Sequence, residues 1–384
     1  MNYLLTEAEI ALRNKARKFA LEYIAPVSKK YDEEETFPGD LLKLMGKEGY
    51  LGLFIPKEYG GSGGGVMDLS LVSEEFSRVC CGISTAYAAN ALATYPIILF
   101  GSHEQKTKYL VPVATGEIFA AFGLTEPNAG SDAASIQTTA TRDGDHYILN
   151  GTKQWITNGG EAGVYTIFAS TDRTRGPRGL TAFIVDKDTP GFTYGKKEDK
   201  LGIRCSSTRV LMFENCRVPA SNILGKEGQG FIVAMRTFDK TRPGVGAEGV
   251  GIAQGALDKV MHFLQSSQKR EFILWQSIQG KIAEMATRVE AARALTYTIA
   301  KMIDGGEKNV SILSAMGKMY ASETATEISR QGMEILGEFG TSRNYGLEKF
   351  LRDAKITEIY EGTNEIQREI ISLGLIREYC KKED

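Results

Sequence analysis

The sequence predicts an α+β fold, mostly α, in three parts. A helical domain is expected over residues 1–118, a middle antiparallel β domain over 119–226 and a C-terminal helical bundle of the four-helix type over 227–384. Three observations carry this expectation. Apolar residues recur at helical spacing up to about residue 118; β-rich runs and turn dipeptides then take over to about Val218; long stripes spaced by threes and fours return after Gly230.

Thr6-Glu7-Ala8-Glu9 reads as a capping box, in which the Thr6 hydroxyl and the Glu9 carboxylate satisfy free N–H groups of the first turn. Ile10, Leu12, Ala16, Phe19, Ala20 and Tyr23 keep a helical rhythm until Pro26. Helix-like segments continue over 41–45, 69–79 and 83–100. The glycine-rich run 60–65 reads as a flexible connection, and no GK[ST] follows to make it a phosphate loop. In the middle, Asp143-Gly144, Asn150-Gly151 and Asn158-Gly159 are hairpin-type dipeptides. Strand candidates are 147–149, 165–168, 181–185 and 210–213, rich in Tyr, Phe, Ile and Val. Turn signals about every ten residues favour an antiparallel sheet over a βαβ layout, and no GxGxxG follows a strand. Farther on, 231–263 reads as one long helix kinked at Pro243, which lacks a backbone donor. Segments 277–303 and 310–336 are two more. Ile282, Met285, Val289, Ala292, Leu295 and Ile299 form an apolar stripe for an antiparallel bundle.

Composition narrows the function. Forty-six basic and forty-eight acidic residues give a net charge of −2 with no charge block, which leaves no footprint for nucleic acid or an anionic membrane surface. The first residues lack the basic-then-apolar order of a signal peptide, and no apolar run reads as membrane-spanning. The expectation is a bacterial cytoplasm, or an organellar matrix after processing. Five cysteines include no CxxC pair, and their odd number speaks against a disulfide framework. Three histidines share no local motif, so neither a zinc site nor a His-based triad is indicated.

The chemistry must therefore come from other groups, and three stretches offer them. Ile359-Tyr360-Glu361-Gly362-Thr363-Asn364-Glu365 sets one carboxylate in a break between two helical patterns. Thr363 or Asn364 can cap the second helix, and Gly362 lets a ligand approach the backbone. A partly desolvated carboxylate there suits proton abstraction, whereas a solvated one is simply an acid favoured by a helix N-terminus. The loop Phe122-Gly123-Leu124-Thr125-Glu126-Pro127-Asn128-Ala129-Gly130-Ser131-Asp132 has the hydroxyls and glycines to hold a heteroaromatic ring or a phosphate, and equally those of an ordinary turn. In Gln154-Trp155-Ile156-Thr157-Asn158-Gly159 the Trp can stack on a planar cofactor or fill a core.

Taken together, T-E-P-x-A-G-S-D, W-I-T-N-G and I-Y-E-G-T in this order resemble the acyl-CoA dehydrogenase family. The likeness covers nearly the whole chain, including Asp239-Lys240-Thr241-Arg242-Pro243 and Ile252-Ala253-Gln254-Gly255. It implies FAD between the β domain and the last domain. Phe122, Leu124, Thr125, Gly130 and Ser131 would line the flavin, with Ser131 also toward substrate, and Trp155, Ile156 and Thr157 would cover the ring's other side. Thr363 and Glu365 would touch the cofactor beyond the base. Asp239 and Arg242 would lie near the CoA arm and the thioester, beside Tyr360 and Gly362. The family chemistry makes Glu361 the base that takes the α proton while the β carbon gives hydride to flavin N5. The thioester oxygen would be held by the Glu361 N–H and a ribityl hydroxyl, with donors aimed at developing charge as the larger catalytic contribution. Thr241 occupies the place where some members carry the base, and a threonine cannot serve. The resemblance further implies a homotetramer and electron-transferring flavoprotein as electron acceptor, with no nucleic acid and no membrane span.

Departures from the family pattern fall at the expected intersubunit contacts. Gln265 stands where the family has an Arg for the FAD pyrophosphate and Gln268 where it has a Phe, with Lys269 or Arg270 as alternative cations. Gln276, Glu334 and Gly337 are the corresponding cofactor contacts, but Glu338 replaces a glycine and would face a pyrophosphate badly. Ala93, Thr94 and Tyr95 are expected beside the acyl tail. Tyr95 either shortens the tunnel for a short, branched or cyclic acyl group or packs against Pro96. The alternatives are an enoyl-CoA reductase running the same chemistry backward and a non-catalytic flavin-binding scaffold.

Overall fold

The computed structural model describes residues 5–266, 271, 274–307 and 310–380. Helix α1 (Glu7–Phe19) opens with the expected capping box: Glu9 N donates to Thr6 Oγ1 at 3.3 Å and Thr6 N to Glu9 Oε2 at 2.5 Å. The helical path does not stop at Pro26. One π-turn (Ala20–Ile24) leads into α2 (Ala25–Glu34), where Pro26 lies in the first turn and its missing N–H costs nothing. Then come α3 (Gly39–Lys47), α4 (Val66–Ser77), α5 (Cys81–Phe100) and α6 (His103–Ala114). The glycine run before α4 is packed, not loose. A side chain at Gly61 would collide with the Ile55 carbonyl, and the Asp304 carboxylate accepts from Val66 N and Met67 N, both at 2.8 Å.

Helix α5 corrects a sequence expectation. It carries no charge over 20 residues and is, by length and composition, apolar enough to cross a membrane; 72% of its most apolar window is buried inside the protein. Ser, Thr, Asn and Tyr within it lower its apparent hydropathy, yet Asn90 and Thr94 satisfy themselves on helix carbonyls one turn back.

The sheet has eight strands: β1 (Ala120–Gly123), β2 (Thr139–Asp143), β3 (His146–Thr157), β4 (Val164–Ser170), β5 (Leu180–Asp186), β6 (Phe192–Lys197), β7 (Thr208–Pro219) and β8 (Ile223–Leu224). Their order is β6-β7-β3-β2-β4-β5-β8, mostly antiparallel. Two contacts with β4 are parallel: β1 along four residue pairs, and β2 at Thr139–Ser170. The excursion through β2 and β3 supplies the crossover a parallel pair requires. Asp143-Gly144 makes the β2–β3 hairpin. Asn150-Gly151 instead lies inside β3 at a bulge against β7, where Asn150 Oδ1 accepts from Asn215 N at 2.7 Å. Asn158-Gly159 turns the chain but makes no hairpin, because β3 pairs with β2 and β7 and not with β4.

The last part holds α7 (Gly230–Ser266), α8 (Gln276–Asp304), α9 (Ser311–Leu336), α10 (Leu347–Thr357) and α11 (Asn364–Cys380). In the predicted α8 stripe Met285, Val289, Ala292 and Ile299 are buried, while Ile282 and Leu295 pack at its edge. Helix α7 runs unbroken through Pro243. The carbonyl that Pro243 cannot serve, that of Asp239, accepts instead from Ser314 Oγ on α9 at 3.4 Å.

Candidate active site

Glu361 lies in the break between α10 and α11 with φ 51°, followed by Gly362 with φ 95°. A left-handed glutamate is strained and persists only where its surroundings over-determine it. Here they do. Arg242 Nε and Gln367 Nε2 donate to Glu361 O at 3.3 and 3.2 Å. Gly362 O accepts from Gln367 Nε2 at 2.8 Å and from Lys318 Nζ at 2.9 Å. Lys318, on α9, also reaches Asn364 Oδ1 at 2.9 Å. Thr363, not Asn364, caps α11, accepting from Ile366 N at 3.3 Å.

The carboxylate itself points at α7, where Thr241 Oγ1 donates to Oε2 at 2.6 Å. Burial pushes the Glu361 carboxyl up to about 7, against the lowering pull of the Thr241 hydroxyl, then Arg242, then Lys318. Lys318 is itself forced down to about 7 by burial, in spite of Glu361. A base poised near neutrality is what proton abstraction at physiological pH calls for.

Glu361 faces a cavity of about 380 Å³ between the sheet, α5, α7 and α11. Twelve of the predicted residues meet there. Phe122, Leu124, Thr125, Gly130 and Ser131 come from the loop after β1; Trp155, Ile156 and Thr157 from the end of β3; Arg242 from α7; Tyr360, Glu361 and Gly362 from the turn. The Trp155 alternative is decided for the cavity: the side chain is 56% exposed, its φ is 61°, and it sits in the β3–β7 irregularity between Lys153 and Ile156 that re-aims it. Beneath the loop Lys153 is fully buried. Its Nζ donates to Leu124 O at 3.0 Å and to Glu126 Oε1 at 2.7 Å, while Glu126 also accepts from Thr138 N at 2.9 Å. Burial lowers Lys153 to about 8. Burial also works against the Glu126 carboxylate, but Lys153 and its other donors outweigh it and hold it below its ordinary value, so the pair is ionised at pH 7.

The remaining predicted residues lie elsewhere. Thr94 donates back to Asn90 O at 2.7 Å, Tyr95 stacks on Phe54 at 5.8 Å, and the Ala93 carbonyl takes the Thr166 hydroxyl at 2.9 Å. That face of α5 looks into the core; the cavity face is Thr85, Ala88, Ala89 and Leu92, about one helical turn earlier. Tyr95 therefore does not line this cavity. Asp239 accepts from Ser311 Oγ at 2.7 Å, and Glu365 is exposed on the first turn of α11. Gln276 on α8, Glu334 on α9 and Gly337 just past the end of α9 lie exposed, with Glu334 bound to Lys281 at 3.2 Å and to Arg330. Glu338 is exposed beside them, and Gln265 is exposed near the end of α7. Gln268, Lys269 and Arg270 fall outside the described residues. Arg204 is engaged by Glu35 and Asp199.

Sequence reasoning missed Lys318, Lys153 and a second cavity carboxylate, Glu248 on α7. Glu248 had a signal: it is a lone charge in a run of small or apolar residues between Val245 and Ala253.

Comparison with known proteins agrees with this geometry. Acyl-CoA dehydrogenase N-terminal, middle and C-terminal domains match residues 6–117, 121–216 and 228–376. A short-chain specific acyl-CoA dehydrogenase of Clostridium acetobutylicum is 42% identical over 380 residues, 98% of this chain and 100% of the relative. An acryloyl-CoA reductase (NADH) of Anaerotignum propionicum is 44% identical over 381 residues, 98% of this chain and 96% of the relative. A chain in a solved structure described as the electron transferring flavoprotein of Acidaminococcus fermentans is 44% identical, superposes with a TM-score of 0.95, and is covered in full by 98% of this chain. The chain belongs to the acyl-CoA dehydrogenase family, and is an FAD-dependent oxidoreductase acting on acyl-CoA. The cavity fits that cofactor: an exposed indole at its rim, apolar walls from Phe122, Leu124 and Ile156, and hydroxyls at Thr125, Ser131 and Thr157 suit a flat ring with polar edges.

Proposed function

We propose that the enzyme dehydrogenates a short acyl-CoA to its 2-enoyl-CoA, with Glu361 as the α-proton base. The observation that carries this is the Glu361 carboxyl, lifted to about 7 and opening into the same cavity as the loops at 122–131 and 155–157. Leu124, Thr125 and Ser131 would hold one edge of the flavin and Trp155 to Thr157 would cover it. When bound, FAD supplies the hydride acceptor for the substrate's β carbon. The chain's own part is electrostatic and positional. The Glu361 N–H, set by the left-handed turn, donates to the thioester oxygen as charge develops there. Its carboxylate, steered by Thr241, takes the α proton. Arg242, folded over the Phe238 ring at 5.6 Å, keeps a cation beside that turn. The small residues Ala88 and Ala89 line the cavity beside Leu92, and the short-chain relative supports a short acyl group.

Electron-transferring flavoprotein is the proposed acceptor, supported by the Acidaminococcus similarity. The assembly is a homotetramer, in which the separate exposed patch of Gln276, Glu334 and Gly337 would serve a neighbouring subunit's cofactor. The acryloyl-CoA reductase relative favours a second reading, the same site run toward reduction. Anaerobic mixing with butyryl-CoA tests the main one. The wild type should bleach its flavin at once. Glu361→Gln should bind the thioester yet bleach it about 10²–10⁴-fold more slowly; bleaching at the wild-type rate would refute the assignment.

A further inference from the structure

Lys318 is fully buried on α9, behind the turn that carries Glu361. Its ammonium donates to Gly362 O and Asn364 Oδ1, both at 2.9 Å, and among the described residues it makes no ion pair. Both acceptors are neutral, and neither depends on it. Gly362 O also receives Gln367 Nε2 at 2.8 Å, and Ser322 Oγ lies in place to donate to Asn364 Oδ1 at 3.2 Å. A methionine here would orphan neither acceptor, and it would avoid the desolvation that a buried ammonium suffers. A fold built for stability alone has no use for this charge. Burial disfavours the ammonium, and the foremost charge opposing this is Glu361; Arg242 adds to the burial effect, while Glu358 and Glu365 lessen it. In return, burial raises the Glu361 carboxyl, and the Thr241 hydroxyl, Arg242 and then Lys318 pull it back. The other ionisable groups on these elements are Asp239, which faces Arg242, Glu323, which takes an amide N–H from Asn364 at 3.4 Å, and Glu248, which faces Glu361.

We propose that Lys318 is a positioning residue for the reaction: its buried ammonium, anchored on the Gly362 carbonyl, keeps Glu361 ionised and ready to take the α proton. This rests on the proposed role of Glu361 and adds the charge that sustains it. The two cations differ in where they stand. Arg242 lines the cavity and donates to Glu361 O at 3.3 Å, whereas Lys318 does not line the cavity. A thioester that fills the cavity therefore leaves Lys318 in place while it takes water away from the carboxylate. A fixed cation acts more strongly on a nearby anion as water leaves, so Lys318 opposes the desolvation that substrate brings.

The test is Lys318→Met on holoenzyme, with Lys318→Gln, which drops the charge but keeps an amide donor, as a second variant. Thermal unfolding is followed by calorimetry, and kcat/KM for butyryl-CoA by dye reduction against pH. Losing a cation disfavours the ionised base. The acid-limb midpoint of both variants should therefore rise by about half a unit or more, which is about a threefold or greater loss of kcat/KM near pH 6. Burial brings Lys318 down to about 7, so at about pH 9 the wild type has shed the same charge and the curves should converge. Stability moves the other way. Folded Lys318 binds its proton less tightly than the unfolded chain does, which disfavours folding fully below about 7 and less as pH rises toward the ordinary lysine range. Lys318→Met should thus melt no lower than wild type near pH 6. A midpoint that stays put overturns the proposal, and so does the failure of both variants to fold, which would make Lys318 a strut. Glu361→Gln separates the two assignments. Bleaching at the wild-type rate in that variant removes the base itself; a dead Glu361→Gln beside an unmoved Lys318→Met midpoint removes only the role of Lys318.

Discussion

Replacing Thr241 by valine removes one hydroxyl and leaves the shape of the side chain almost unchanged. The lost contact is the 2.6 Å donation to Glu361 Oε2. Hydrogen bonds to charged groups contribute about 1.5–3 kcal/mol, and about 1.36 kcal/mol corresponds to one pKa unit. Glu361 is only half-buried, so water can replace part of the bond, and the lower end applies: a rise of about one unit. The sign follows from charge, because losing a donor disfavours the ionised form. A base titrating near 8 instead of about 7 is ionised about eightfold less at pH 6.5 and nearly equally at pH 9. The assay is kcat/KM for butyryl-CoA against pH, which reports the free enzyme. Glu248 and Lys318 titrate in the same range, so each midpoint belongs to the set and the difference between the two proteins is the readout. A uniform drop at every pH, or a midpoint that stays where it was, would refute the placement of Thr241 on the base.

Lys153→Met should destabilise the protein by about 3–5 kcal/mol in denaturant titration, because it leaves Glu126 buried without its cation; adding Glu126→Gln should recover part of the loss. Trp155→Ala should leave the melting temperature nearly unchanged, since the side chain is exposed, while FAD washes out faster on gel filtration.

The Glu361 turn was legible because everything needed to read it is local. A carboxylate, a glycine and a capping threonine fall between two helical stripes within a dozen residues, and the loops at 122–131 and 154–159, which meet at the same cavity, carry equally local signatures. What lay outside the sequence's reach is pairing at long range. Nothing near Lys153 announces Leu124 and Glu126, and nothing near Lys318 announces Gly362, more than forty residues away. The cavity face of α5 was missed by one turn: residues 85, 88, 89 and 92 share a face that 93, 94 and 95 do not, and with almost no polar stripe the sequence had nothing to tell the faces apart. The same limit explains Asn150-Gly151. A dipeptide suited to a hairpin tip also suits a bulge, and only the partner strand decides which forms.

Helix α9 lines none of the cavity, yet one line of side chains along it ties together two elements that do. Ser314 holds the carbonyl orphaned by Pro243 in the helix bearing Thr241, and one turn on Lys318 holds the Gly362 carbonyl, next to Glu361. The spacing between the hydroxyl and the carboxylate it steers is therefore measured off against a third, outlying ruler. Any tilt of that ruler, from a neighbouring subunit or a docked redox partner, would open or close the gap between donor and acid without altering a residue in the chamber.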